Sequence, residues 1–342
     1  MELALYDPEH GYYASAPRRS GKNGDYYTSV DVSPLFGATI AEQLVEMWRL
    51  RGRGDFHLVE AGAGNGRLTR DILDATAARH PHFHRRVRVT LVERSAAARA
   101  ACADMLAPHA EHLLACSADL PREIDGAIVA NELLDALPVT VVQMTEGGLR
   151  EVAVGERDDA LVEHLRPLPD PALESALPGV ERGQRLEIGH AACAWIRTAA
   201  ASLSRGFLLL FDYGYQPSPG FRSAHLDGTL MAYRSHRASG DAWLSDPGGR
   251  DITAHVNLDA IRSAAEAGGL QTLGIVDQGS FLMSLGLVDR VDTRDDTRAL
   301  RQRLSARTLI MPGGLGDTMK AMVFAKSMGV PALRGLQPGR LS

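Results

Sequence analysis

Cysteine is scarce in this sequence. Its three copies among 342 residues, Cys102, Cys116 and Cys193, show no CxxC spacing and leave one unpaired in any disulfide scheme, a usage that argues for a reducing compartment. Long hydrophobic runs are missing too: no stretch approaches the roughly 18–20 apolar residues that span a bilayer, so membrane insertion is not expected. There is no basic block, and 37 Lys and Arg against 42 Asp and Glu give a net charge of −5, which removes the wide positive field of a general DNA or RNA binder. The start, MELALYDPEHGYY, has neither a basic n-region before an apolar h-region nor an Arg-rich transit pattern; with the cysteine usage this predicts a cytoplasmic protein. Internal repeats and low-complexity linkers are absent. Only the tail, residues 327–342, is rich in Gly, Pro and Arg and is expected to be flexible.

What is present alternates. The first 50 residues are turn-rich and aromatic, and a helix is predicted from Pro34 to Leu50, where Leu35, Ile40, Leu44, Met47 and Trp48 recur close to helical spacing. Strands and helices then take turns: FHLVEA (56–61), a helix over Arg67–Ala78, VRVTLVE (87–93), a helix over Ala96–Leu106, EHLLA (111–115), AIVAN (127–131), a helix over His190–Leu203 and FLLLFD (207–212). This is the pattern of an α/β protein with a parallel, doubly wound sheet. Residues 139–170 interrupt it with VTVVQM, GG, LREVAV and ALVEHL, a β-hairpin insertion with a third strand, its turn placed at Gly147-Gly148. A helix at Leu258–Ala267, a strand near Leu273–Val276, a polar helix from about Asp295 to Arg307 and the strand AMVFAK (321–326) follow. Residues 1–52 read as an N-terminal helical cap that closes over a substrate, and 53–326 as the main domain.

In VEAGAGNG (59–66) a strand ends at Glu60 and glycines follow at 62, 64 and 66 before a helix. Glycine there permits positive φ and lets a ligand approach the main chain. A dinucleotide fold spaces its glycines GxGxxG; here Gly62, Gly64 and Gly66 are spaced GxGxG, and the acidic Glu60 would repel a pyrophosphate. The turn suits a nucleoside cofactor with a cationic amino-acid end, S-adenosylmethionine, over NAD. Glu93 closes the second strand, where a carboxylate can accept both ribose hydroxyls, and Asp119 follows the third, placed to hold an adenine amino group beside Ala118 and Leu120.

The fourth strand ends at Asn131 and Glu132 and continues NELLDALP. Glu132 and Asp135 are expected on one face of a helical turn beside the transferable methyl. Such a pair suits a cationic acceptor: it could fix a guanidinium fork, aim one nitrogen along the S–C axis and stabilise the departing proton. Positioning and electrostatics then supply the rate without a covalent nucleophile. The plainer alternative for Asp135 is a helix cap or an ion pair with a surface lysine. Asp212-Tyr213-Gly214, at the end of the fifth strand, offers a second wall, with Tyr213 near the methyl. Two glycine-punctuated loops, 24–37 and 228–257, are placed to close the site. His80, His82 and His84 in RHPHFH have no carboxylate or cysteine at ligand spacing and read as solvated surface; no metal is expected.

Taken in order, LYDPEHGYY, GDYYTSVDVSPLFG, VEAGAGNGRLTRDIL, NELLDALPV, DYG and GTLMAYRSHR…DITAHVN resemble the MidA family over about residues 3–325. The resemblance implies a seven-stranded, Rossmann-like class I methyltransferase fold using S-adenosylmethionine and, as in the mitochondrial member, methylation of arginine on a partner protein. By motif it places Glu60, Gly62 and Gly64 at the cofactor, Glu93 at the ribose, and Glu132 and Asp135 at the acceptor. GAGNG stands where the family more often has GPGxG, and VDVSP where it often has PEISP, putting Asp31 in the place of a glutamate. Three functions stay open: a protein arginine N-methyltransferase, a small-molecule methyltransferase, and a non-catalytic assembly module that keeps the fold. A homodimer is compatible with these features and not fixed by them.

Overall fold

The computed structural model describes residues 1–15, 28–170, 173–174, 177, 179–234, 237–239, 242–292, 294 and 296–337. The apolar runs become β1 (Phe56–Ala61), β2 (Val87–Val92), β3 (Leu113–Ser117), β4 (Ile124–Asn131) and β9 (Leu203–Tyr215). They pair in parallel in the spatial order β9-β4-β1-β2-β3. Beyond β9 lie β15 (Met319–Lys326) and then β14 (Gln271–Asp277). Strand β15 runs antiparallel to both neighbours, so the sheet is mostly parallel, not wholly so as the alternation predicts. The short β13 (Val256–Asn257) joins β9 off this path.

Near-continuous hydrophobic runs are what a strand covered on both faces needs: Phe207 to Phe211 in β9 are all 0–1% exposed. One face is packed by α4 (Leu35–Arg51) and α5 (Arg67–Arg79), the other by the helices His190–Ser202 and Leu258–Ala267. On the α4 face Phe36, Phe211 and Phe281 stack edge to face at 5.2 and 5.4 Å between centroids, each worth about 1.5–3 kcal/mol by burial alone.

Three departures from the sequence reading concern the added β segments. The insertion is larger than a hairpin with one added strand: β5 (Thr140–Thr145), β6 (Gly148–Arg157) and β7 (Ala160–Pro167) are joined by β8 (Arg185–Ile188) in an antiparallel sheet ordered β7-β6-β5-β8. Thr145 pairs with Gly148, which makes Glu146-Gly147 the two turn residues instead of Gly147-Gly148. Residues 228–257 are not simply a loop. They hold β10 (Met231–Arg234), β11 (Arg237–Ser239) and β12 (Asp251–Thr253), paired in the order β11-β10-β12.

The tail docks as far as Gln337, because Leu333 is buried and the backbone N–H groups of Arg334 and Gly335 donate to Glu46 and Gln43 of α4 at 3.0 and 3.1 Å. At the other end, α1 (Glu2–Tyr6) and α2 (Tyr12–Ser15) pack Leu5 and Tyr12 against Ile252 of β12. Helix α3 (Ser29–Val32) then leads into α4. Of the expected closing loop 24–37, residues 24–27 lie outside the described residues.

Candidate active site

The carboxyl ends of β1, β2, β4 and β9 converge, as the right-handed winding of a parallel sheet dictates. After β1 the chain turns through Gly62, Gly64 and Gly66, with φ of 68°, 54° and 79°. At Gly66 a Cβ would come within 3.0 Å of Leu91, whereas at Gly64 nothing lies within 4 Å of where it would sit. Gly64 thus borders open space under a bare main chain, room that a ligand can use. Beside it, Glu93 Oε2 accepts from Gly64 N at 3.1 Å, and its Oε1 accepts from Ser95 N at 3.1 Å. The carboxylate expected at a ribose is therefore already aimed at the glycine turn.

Glu60 sits deeper than the sequence reading placed it. Its Oε2 accepts from the backbone and hydroxyl of Thr69 in the first turn of α5, so the side chain clamps the turn to its helix. Burial pushes its carboxyl up to about 7, against the Thr69 hydrogen bonds, with Asp71 and Glu93 adding to the rise. Asp119 is exposed beyond β3; its carbonyl oxygen accepts from the Ser117 hydroxyl at 2.8 Å, and its carboxylate has no protein partner among the described residues. Asp31 completes the capping box of α3, accepting from the backbone N–H of the N-cap Thr28, and pairs with Arg67 at 2.6 Å, tying the segment before α4 to the start of α5.

The acceptor side is richer than a pair. Glu132 follows β4 with φ 51°, unusual for a residue with a Cβ and of the kind concentrated at functional sites. Its Oε1 accepts from Ser29 N at 3.0 Å and from Asn131 Nδ2 at 3.1 Å. Residues 132–138 form bends and a turn in place of the expected helical turn, because Asp212 Oδ2 captures the N–H groups of Leu133 and Leu134 at 3.1 and 2.7 Å. The helix-cap alternative for Asp135 falls with that helix. Glu132 and Asp135 still act on each other. Burial first, then the Asp135 charge, pushes Glu132 up to about 8. Burial and the nearby Asp212 and Asp251 charges hold Asp135 well above the usual carboxylate range, and burial likewise raises Asp212.

Among the described residues, Glu132, Asp135 and Asp212 meet no Lys or Arg within 4.0 Å. Asn131 Oδ1 and Asp135 Oδ1 are buried oxygens without a hydrogen-bond donor. Tyr213 forms a wall, its ring stacked on His255 at 6.2 Å and 12°, and burial raises its hydroxyl above the ordinary value. The aromatic cap is tethered at the same place: Tyr6 donates to the Ala136 carbonyl at 3.0 Å and Tyr13 to Asp251 Oδ1 at 2.9 Å. Asp251, Ser29 and Thr69 escaped the sequence reading. The segment DITAHVN drew attention to the region around Asp251, but nothing in its spacing singled out that carboxylate.

The RHPHFH histidines divide. His82 is exposed beside Arg85 and His80 pairs with Glu42 at 2.8 Å. His84 is only half-exposed and faces His112, so the solvated-surface expectation fails for it; burial, then His112 and His109, lowers its pKa.

Residues 39–276 match the family model described as "Putative S-adenosyl-L-methionine-dependent methyltransferase". The chain belongs to this family. A protein from Burkholderia thailandensis, solved with S-adenosyl-homocysteine bound, superposes with a TM-score of 0.92 at 31% identity over 99% of this chain and 89% of its own. The protein arginine methyltransferase NDUFAF7 homolog, mitochondrial, of Drosophila melanogaster is 29% identical over 83% of this chain and 70% of its own length. Its mouse counterpart is also 29% identical, over 93% and 78%. S-adenosylmethionine is the family's cofactor, and the residues present fit it: an open glycine turn, a carboxylate beside it, and the donor-less Asn131 Oδ1 at the end of β4, ready to accept from a cationic group. No helix among the described residues is long and apolar enough to cross a membrane.

Proposed function

We propose that the chain is a protein arginine N-methyltransferase. The observation that carries this is the set of carboxylates at the ends of β4 and β9, partly buried Glu132 with buried Asp135 and Asp212, raised in pKa and, among the described residues, without a Lys or Arg side chain to balance them. Such a set is costly as it stands and becomes favourable when a cation enters it. A guanidinium brings a permanent charge and five donors in a plane, and it suits several carboxylates better than a point-like ammonium does. The names of the relatives support the same reading.

The cofactor supplies a methyl group activated by the sulfonium. The chain's own residues do the rest. Gly64 and Glu93 hold the nucleoside, Asn131 and Glu132 lie between cofactor turn and acceptor, and Glu132 and Asp135 fix the guanidinium so that one nitrogen faces the methyl carbon. As the N–C bond forms and the S–C bond breaks, the nitrogen sheds a proton, for which Glu132 is suited because burial has brought its pKa close to neutrality. Tyr213 and the tethered aromatic cap exclude water.

The test is to add purified enzyme and isotope-labelled S-adenosylmethionine to extract from cells lacking the gene and to map the label by tandem mass spectrometry. Label on arginine of one or a few proteins is expected. Label confined to small molecules, or none with enzyme that binds S-adenosylhomocysteine, would overturn the reading.

A further inference from the structure

At the amino ends of β2 and β3, far from the carboxyl ends that build the active site, three histidines come together. His84 ends α6 (Pro81–His84), and His109 and His112 lie in the 3-10 segment Ala107–His112 that leads into β3. One ring nitrogen from each lies within 4.8 Å of the others, and His109 and His112 are 8% and 3% exposed. The spacing HAEH (109–112) in one segment and PHFH in another is a signal that reading RHPHFH alone does not reveal.

The hydrogen bonds fix which nitrogens carry protons. His112 Nδ1 lies 3.0 Å from the Val87 carbonyl, an acceptor only, so Nδ1 is the donor and neutral His112 keeps its lone pair on Nε2. Thr76 Oγ1 gives its hydrogen to the Leu73 carbonyl at 3.0 Å, so it accepts from His84 Nδ1 at 3.1 Å. Neutral His84 then also keeps its lone pair on Nε2. These two Nε2 atoms face each other at 3.0 Å: two acceptors in contact, with no proton between them while both rings are neutral.

His109 is oriented in the same manner, its Nε2 held by Asp74 Oδ1 at 2.7 Å, which leaves the other nitrogen as the lone-pair site. Each imidazole thus spends one nitrogen on a carbonyl, a hydroxyl or a carboxylate and keeps a lone pair on the other, and for His84 and His112 that other nitrogen faces its neighbour, the arrangement that surrounding residues impose on metal-binding histidines. Glu111 brings a carboxylate oxygen to 3.5 Å from His112 Nε2, a counter-charge and an oxygen donor at the solvent side.

We propose that His84, His109 and His112 bind one divalent transition-metal ion of the zinc class, with Glu111 or water completing four-coordination. Two ligands at about 2.0–2.1 Å on a tetrahedral ion stand roughly 3.3 Å apart, a few tenths of an ångström more than the present gap. The ion is structural. It sits a strand length from the glycine turn, roughly 17–20 Å for five or six residues, and it clamps the α5–α6 corner to β3, a strand paired on one side only. The far end of β3 carries Ser117 and leads to Asp119, so the clamp steadies one wall of the cofactor site.

The experiment uses the full chain, stripped with chelator and titrated with zinc against a competing chromophoric chelator, followed by X-ray absorption at the zinc edge. One equivalent bound through a shell with three imidazoles at about 2.0–2.1 Å is expected. His112→Ala should weaken zinc at least about 100-fold, Asp74→Asn about tenfold as loss of an orienting partner does, and His82→Ala not at all. Absence of stoichiometric binding by the folded wild-type protein, an oxygen-only shell, or binding unchanged in a folded His112→Ala variant would overturn the proposal. Should that variant fail to fold, the wild-type absorption spectrum decides.

Discussion

At the amino end of β4, Asp125 meets Arg51 at 2.6 Å with the Arg51 side chain only 6% exposed, whereas at the carboxyl ends of β4 and β9 Glu132, Asp135 and Asp212 meet no Lys or Arg within 4.0 Å among the described residues. Glu42 on α4 makes the same contrast. Burial pushes its carboxyl up, but the His80 hydrogen bond and the Arg290 charge, each at 2.8 Å, outweigh that and hold it below its ordinary value. Arg51 and Glu42 on α4 each have an ion-pair partner, while the three carboxylates have only hydrogen-bond donors among the described residues. Under the proposed function an incoming guanidinium supplies their countercharge.

Removing a carboxylate at each location should give opposite results. Glu132→Gln keeps the acceptor for Ser29 and Asn131 and resembles the protonated acid that prevails near neutrality, so stability should change little. Methyl transfer should fall on the order of 10²–10³-fold in kcat, the loss typical of one preorganised electrostatic group, with affinity for S-adenosylhomocysteine, read by calorimetry, retained. Glu42→Ala should do the reverse: it strands Arg290, 9% exposed, and should lower unfolding free energy by about 2–4 kcal/mol in denaturant titrations without changing the reaction's pH profile. A large stability loss in Glu132→Gln would erase the distinction between the two regions.

A third substitution sharpens the boundary between cofactor and acceptor. Glu93→Ala deletes the carboxylate next to Gly64 and should weaken S-adenosylhomocysteine about 10²–10⁴-fold, as expected for two charge-assisted hydrogen bonds, while the Michaelis constant for a saturable arginine substrate stays within about twofold. An unchanged cofactor affinity would remove Glu93 from the site.

Much of this was readable in advance because strand periodicity and glycine spacing are local. VEAGAGNG fixes a turn whatever surrounds it, and Glu93 and Glu132 could be placed by counting strands. What escaped depended on contacts distant in sequence. Asp251 approaches Asp135 only because β12 packs beside the chain leaving β4, and Glu60 turns to Thr69 because α5 begins one residue after Gly66. The NELLDALP segment looked helical from its residues; the carboxylate of Asp212, 80 residues after Glu132, bends it by capturing two amides. Residues 327–337 depart from the expected flexible tail for a similar reason: Met328, Leu333 and Leu336 pack onto the core on the α4 side of the sheet, a contact that no local pattern reveals, while 338–342 lie outside the described residues.

The smallest expected effect tests the comparison through pH. Burial raises Glu132 to about 8 in the folded protein, against an unfolded value near 4.3, so between these values the folded state holds a proton that the unfolded state has released. Stability from this group is full below the unfolded pKa and is lost as pH rises through the folded one. Relative to Glu132→Gln, which cannot titrate, the wild type should lose about 2 kcal/mol of stability from pH 6 to 8, measured as the difference between two denaturation series. Activity should move the other way. Holding a guanidinium requires the ionised carboxylate, so kcat/KM should climb across pH 7–8 and level off above. In kcat the rise should shift to lower pH, because a bound cation restores the lowered pKa that Glu42 obtains permanently from Arg290. A flat kcat/KM profile across that window would mean that Glu132 is already balanced in the free enzyme, and the two ends of β4 would no longer differ.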